Sequence, residues 1–336
     1  MFRQKLAFKV LVPLVLVLGG CGRSADIEAA KSLSRVGQEA DVVFEKIADD
    51  FYQSCLRAAD YTPLKSSNTE GINQDRITAE KECYENPQVE QNSLDSVNHK
   101  PTPKDASQAL TNGNQVIINY LIALGRLASD DLINYDPQLN SIEDSLKQIP
   151  EIKTDVVGAG TAIAQFLFRV FSEQERRSTL KDAVLANDQN LTSYIDGFSN
   201  AINKGYSKGA LESEKLAVDN YYKSYLGRII NINTANSSNL EGISVVFRDK
   251  TTLELDQEWK TTKSTLVEKQ KIADLYVEIL KEISQDHHTI KEMYQKDEKP
   301  SSTQIRKMVK TYVKKLDKLV EQSNKVFKDN VTSNEK

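Results

Sequence analysis

Along most of this chain apolar residues recur at three- and four-residue steps, the spacing that sets side chains on one face of an α-helix. The strongest run, Asp155 to Ile202, predicts a central helix against which the others pack. Its stripe is Val156, Ala159, Ile163, Phe166 and Val170, then Leu180, Val184, Leu191, Ile195, Phe198 and Ile202. The first half, Val156 to Phe168, is apolar nearly all round, so neighbours should enclose it. The stripe fails between Ser172 and Thr179, where the helix should either bend or project beyond its partners.

The other segments follow the same logic. Leu33, Val36, Ala40, Val43, Ile47, Phe51 and Cys55 predict a helix over Ala25 to Ala59, and Leu110, Ile117, Leu121, Leu124 and Leu127 one over Ala106 to Tyr135. Asp136-Pro137 has the form of an N-cap and first helical residue for a shorter piece ending near Pro150. Asn203 to Gly209 predicts a chain reversal, followed by a helix over Leu211 to Ile230. Asn231 to Asn239 is a polar breaker run, and Ile243 to Phe247 a short strand or apolar turn. Trp259, Leu266, Ala273, Leu280, His287 and Tyr294 then fall seven apart; after Pro300 another helix carries Ile305, Val309, Tyr312, Leu316, Leu319, Ser323 and Val326. Their short connection implies an antiparallel hairpin. Tyr61 to Asp105 differs in kind: Pro63, Pro87, Pro101 and Pro103 and few apolar residues make it a polar excursion with one short helix near Ile77 to Tyr84.

Only 14 Gly and 8 Pro among 336 residues fit long helices better than a turn-dense β-fold. The expected fold is all-α, an extended up-and-down antiparallel bundle of five or six helices. It should form one domain over residues 25–330, with the 61–105 excursion and a disordered tail at 331–336.

The amino terminus adds a location. Arg3, Lys5 and Lys9 make a basic start, Val10 to Leu18 is apolar apart from Pro13, and Gly19 and Gly20 precede Cys21. This run is too short for an ordinary membrane-spanning helix. Leu18-Gly19-Gly20-Cys21 resembles the lipobox of bacterial lipoproteins. The resemblance implies a signal peptide over residues 1–20, lipidation of Cys21 as the acylated first residue, and a tether at 21–24. The membrane is then a partner through Cys21, and the chain belongs to the cell envelope, facing the periplasm or exterior. Gly22, where an inner-membrane retention signal would have aspartate, favours the outer membrane. Losing residues 1–20 leaves 41 basic residues against 48 acidic, a mildly acidic chain with no global reason to bind nucleic acid.

Cys55 and Cys83 are the two remaining cysteines, and outside the cytoplasm an even pair predicts a disulfide. Closing that loop restrains the unfolded chain by about 3.5 kcal/mol.

Candidate chemistry is sparse. With three histidines, metal and acid–base sites have few ligands: His288 and Glu292 form an i, i+4 pair worth half a metal site, and His287 stands on the heptad face. The paired Glu-x-x-His of di-iron bundles is absent from the sequence. No nucleophile elbow, phosphate loop or zinc-ligand spacing is present, so neither catalysis nor a cofactor or metal is expected. The last helix is locally basic and the first locally acidic, so the two should lie side by side or the basic one should meet an anionic surface. Tyr221, Tyr222, Tyr225 and Tyr276 are candidates to line a pocket or groove. The expected function is binding, as an envelope interaction scaffold for an unidentified protein or as a small-ligand receptor. The alternative is a membrane-perturbing or pore-forming protein using the apolar stretch 156–171.

Overall fold

The computed structural model describes residues 25–62, 69–85, 101–129, 142–149, 152–171, 180–235, 243–296, 298 and 302–327. The lipobox, the Asp136-Pro137 pair and the tail at 331–336 lie outside them. Every regular element among the described residues is helical: α1 (Ala25–Asp60), α2 (Thr69–Lys81), α3 (Pro103–Ser129), α4 (Ile142–Leu146), α5 (Thr154–Phe171), α6 (Leu180–Ala201), α7 (Leu211–Ala235), α8 (Ile243–Gln295) and α9 (Ser302–Val326), with a π-helical segment, Ile202–Ala210, between α6 and α7. The all-α bundle read from the sequence is the fold.

Side-chain bonds give the directions. Ser107 of α3 donates to the Ala48 carbonyl of α1 (2.6 Å), and Asn114, seven residues later, donates to Asp41 (2.8 Å), so α1 and α3 are antiparallel. Lys269 of α8 meets Asp50, and Phe44 packs on Tyr276, so α8 is antiparallel to α1 as well. Lys315 of α9 bonds Glu278 and Glu282 of α8, and Phe327 lies under Lys269, which makes α8 and α9 the hairpin that Pro300 implied. α3 and α5 break the up-and-down alternation. Both run the same way, with Gly113 and Gly160 against Tyr194 and Leu146, and Tyr120 against Phe166.

Local chemistry explains the start of α3. Thr102 is its N-cap and Pro103 its first residue; Asp105 N–H donates to Thr102 Oγ1 (3.2 Å), and Thr102 N–H donates to Asp105 Oδ2 (2.9 Å). This reciprocal capping box starts the helix at Pro103, three residues before the expected start at Ala106.

Three expectations are corrected. Asp155 to Ile202 is two antiparallel helices, α5 and α6, and the failed stripe at 172–179 falls between them, outside the described residues. Asn203 to Gly209 is no reversal: α6, the π segment and α7 form one continuous helical run. Leu211 N–H bonds the Tyr206 carbonyl five residues back, and the widened turn brings the Lys204 carbonyl to 2.9 Å from where a Cβ on Gly209 would stand. Glycine suits that position. Ile243 to Phe247 begins α8 rather than forming a strand or turn, because cooperative extension of a long helix overrides the β preference of five residues.

The core runs along α1, α3, α5, α6 and the second half of α8, with Phe44, Ile47, Leu121, Ile163, Leu191, Phe198 and Ile279 fully enclosed. α5 is mostly buried, as its composition implied, but leaves Gly158, Gln165, Phe168 and Arg169 exposed along one edge. α5 and α6 approach closely at Gly197, where an added Cβ would fall 2.2 Å from the Val156 side chain. Gly197→Ala should therefore lower the unfolding free energy by ~1–3 kcal/mol through overpacking. Adding Val156→Ala should recover part of that loss, measured by urea denaturation as a double-mutant cycle.

Candidate binding surface

α8 is 53 residues long, about 80 Å at 1.5 Å per residue. Only its later part lies in the core. From 249 to 265 no side chain is buried, and from Leu266 onward buried positions recur every turn. Tyr61, beyond the last turn of α1, marks the level at which the bundle ends, against Tyr221 and Tyr222 of α7. The first half of α8 and the later turns of α7 continue past it as a two-helix arm.

An aromatic corner fills the base of this arm. Tyr222 stacks on Trp259 (6.2 Å between centroids, 11°), Tyr221 stacks on Tyr225 (6.0 Å, 18°), and Tyr221 stands edge-on to Tyr222 (87°). Asp219 accepts the Trp259 indole N–H (2.7 Å) and pairs with Lys263 (3.0 Å), whose ammonium lies 5.2 Å over the indole ring. Those two partners outweigh burial and hold the Asp219 carboxyl below its ordinary range. Tyr222 is buried, Tyr61 and Tyr221 are half-buried, Tyr225 is 40% exposed and Leu216 of α7 is 57% exposed. Ring faces next to paired charges make an amphipathic surface suited to binding.

Three of the four candidate tyrosines thus come together. Tyr276 does not join them: it is fully buried against Phe44 and donates to Asn114 in the core. Tyr61 and Trp259 belong to the corner but were not among the candidates, since one follows a helix end and the other sits in a heptad.

The arm is held by a buried ionic cluster. Asp50 of α1, 1% exposed, accepts from Arg57 (2.9 Å), Lys269 of α8 (2.8 Å) and Tyr206 of the π segment (2.7 Å). Arg57 also grips Glu214 of α7 through two parallel bonds of 2.6 and 2.9 Å. The four charges cancel. Burial pushes the Asp50 carboxyl up, but Arg57 and Lys269 outweigh it and hold it below its ordinary range. Burial wins at Lys269, whose ammonium pKa is lowered despite Asp50. A sequence signal existed for these positions: Asp50 is three residues after Ile47 and Lys269 three after Leu266, both at core spacing.

A second cluster lies deeper in the bundle. Asp188 of α6 accepts from His287 Nδ1 (2.9 Å), His288 Nδ1 (2.8 Å) and Lys291 (3.1 Å). These bonds outweigh burial and hold its carboxyl well below the usual range. His287 donates its Nδ1–H to Asp188 and presents Nε2 to the Tyr120 hydroxyl of α3 (2.9 Å). Tyr120, His287 and Asp188 are all buried, so the chain ties three helices together away from solvent. His288 and Glu292 stand 3.6 Å apart, and no group of three or more His, Cys, Asp or Glu among the described residues could hold a metal ion. Cys55 and Cys83 are joined by a disulfide that fastens the residues after α2 to α1.

Compared with known proteins, the chain matches no family model, no curated sequence and no solved structure.

Asp50→Ala leaves Lys269 buried without its carboxylate and should cost about 3–5 kcal/mol in urea unfolding at neutral pH. Asp286 of α8 gives a pH signature. Burial and the neighbouring Glu282 push its carboxyl up to about 6. The raised pKa means that the folded state favours the protonated form. Its stabilising contribution is full below the unfolded value near 3.9 and is lost as pH rises through about 6. Asp286→Asn should match the parent at pH 4 and exceed it by up to about 2 kcal/mol at pH 7, read from urea midpoints across that range.

Proposed function

We propose that this chain is a lipid-anchored, extracytoplasmic scaffold that works by binding, with the aromatic corner and the α7–α8 arm as its contact surface. The observation that carries the reading is the gathering of Tyr61, Tyr221, Tyr222, Tyr225 and Trp259 at the end of α1 remote from Cys21. α1 starts at Ala25 and spans 36 residues, about 54 Å. A lipidated Cys21 would hold one end of that helix at the bilayer and present the corner far from it. The surface lies open along a two-helix arm, which suits a macromolecular envelope partner better than an enclosed small ligand.

The membrane-perturbing alternative draws less support. Ile163, Phe166 and Leu167 of α5 are packed in the core, and among the described residues no helix is long and apolar enough to cross a membrane.

The test is photo-cross-linking in living cells from position 225, with position 254 at the exposed arm and position 143 on α4 as a remote control. A discrete adduct from 225 or 254 but not from 143 is expected, in the membrane fraction, and Cys21→Ser should release the chain from that fraction. Absence of any adduct at the arm would overturn the binding surface, and continued membrane association of Cys21→Ser would overturn the anchor.

A further inference from the structure

One side of the two-helix arm continues a face that the bundle itself covers with a helix. Up to Tyr61 the α7–α8 pair carries α1: Arg57 meets Glu214, Asp50 meets Lys269, Val218 is fully buried, and Tyr61 packs on Tyr221 and Tyr222. Tyr61 is hydrogen-bonded to Thr262 and Tyr222, and Tyr222 to Glu258. Lys269, Thr262 and Glu258 of α8 and Glu214, Val218 and Tyr221 of α7 therefore mark the α1 side of the pair. Three- and four-residue steps carry that side on to Leu255 and Tyr225.

α1 stops at Asp60, whereas α7 runs on from Tyr222 to Ala235, about 20 Å or roughly four turns. Beyond Tyr61 the side meets solvent: Tyr225 is 40% exposed, Glu258 is exposed and Leu255 is half-buried. Leu253 is 57% exposed but belongs to the other flank, with Lys260 one heptad on.

We propose that this groove takes an amphipathic helix of a partner protein, lying antiparallel to α8 where a longer α1 would run. The inference rests on the binding reading above and names the partner's chemistry. Each arm helix satisfies its own backbone, so there is no strand edge to extend, and a groove between two helices accepts side chains at i, i+3, i+4 and i+7 of a third. A glycan fits less well, because Trp259, the chain's one tryptophan, already spends its ring on Tyr222 and on the Lys263 ammonium. Charge sets the polar flank. Among the described side chains of the arm, Lys250 and Lys260 pair with Glu254 and Asp256, and Lys223 and Lys263 with Asp219. Glu258 is the carboxylate on the groove side. The partner helix should therefore present Lys or Arg opposite it, beside an apolar stripe over Leu255 and Tyr225.

The experiment places p-benzoylphenylalanine in the full chain in cells, at positions 225, 255 and 258 on the groove side and at 223, 253 and 260 on the other flank. Adducts to another protein are expected mainly from the first set, and the cross-linked peptide should carry apolar residues at helical spacing with Lys or Arg on one edge. A synthetic peptide of that segment should shift the Trp259 fluorescence of the purified chain. It should bind Glu258→Lys roughly ten-fold more weakly and Leu253→Ser as it binds the parent. Equal circular dichroism would show that both variants fold. Adducts confined to 223, 253 and 260 would overturn the proposal and leave the arm as a contact surface. Adducts to a sugar, to a second copy of this chain or to a segment without helical spacing would overturn it too, as would a peptide indifferent to Glu258→Lys. No adduct from any of the six positions would remove it together with the binding reading it rests on.

Discussion

Asp50 is the point through which the long elements of this fold are tied. Its carboxylate takes one bond each from α1, α8 and the π segment, and Arg57 extends the tie to Glu214 on α7. A carboxylate so enclosed is tolerable only because two cations face it and a second carboxylate restores neutrality. Such a cluster adds little net stability over an apolar replacement, because desolvation consumes most of the Coulomb attraction. What it fixes is register. Sliding α8 by one turn against α1 would strand Lys269 and Asp50 in separate apolar surroundings, while leucines and isoleucines would simply find new neighbours. The angle and reach of the arm follow from that register.

The π segment belongs to the same arrangement. An α-helical path through Ile202 to Ala210 would rotate Tyr206 relative to the helices on either side. One widened turn instead lets α6 present Phe198 and Ile195 to the core, lets Tyr206 reach Asp50, and sets Leu211 and Glu214 toward α1. Glycines at 205 and 209 argue for a reversal in the sequence, and here Gly209 relieves the crowding of a widened helix against the Lys204 carbonyl. Glycine alone does not separate the two outcomes, because both need a residue without a Cβ. The partner that decides, Asp50, lies 156 residues away.

What was legible in the chain was what periodicity and covalent chemistry carry locally. The heptads of α8 and α9, the stripe of α1 and the helical class follow from side-chain spacing, and the Cys55–Cys83 bond from cysteine number and the inferred compartment. What was missed depends on contacts distant in sequence. Asp50, Asp188 and Lys269 occupy stripe positions, where a lone charge is equally the mark of a stripe drifting toward solvent; only a partner on another helix makes it core. Tyr276 and Tyr222 are indistinguishable by spacing, yet one is sealed in the bundle and the other forms the base of the arm.

The terminal helices show why charge counts along a sequence do not assign pairs. α1 is acidic, α9 is basic and they do lie side by side, as complementarity suggested, and the part of the contact formed by described side chains is mainly apolar. Leu316 and Leu319 are buried, Ser323 is enclosed, and Lys46 of α1 donates to Asn324 of α9 (2.8 Å). Asp41 and Asp50 of α1 turn toward its neighbours, where a lower dielectric makes each bond stronger and each vacancy costlier, so amides from α3 and cations from α1 and α8 satisfy them, while Glu45, Asp49 and Asp60 are exposed. A helix joined to its neighbour through apolar contact leaves its polar face outward, as the exposed Lys314, Asp317 and Lys318 of α9 show.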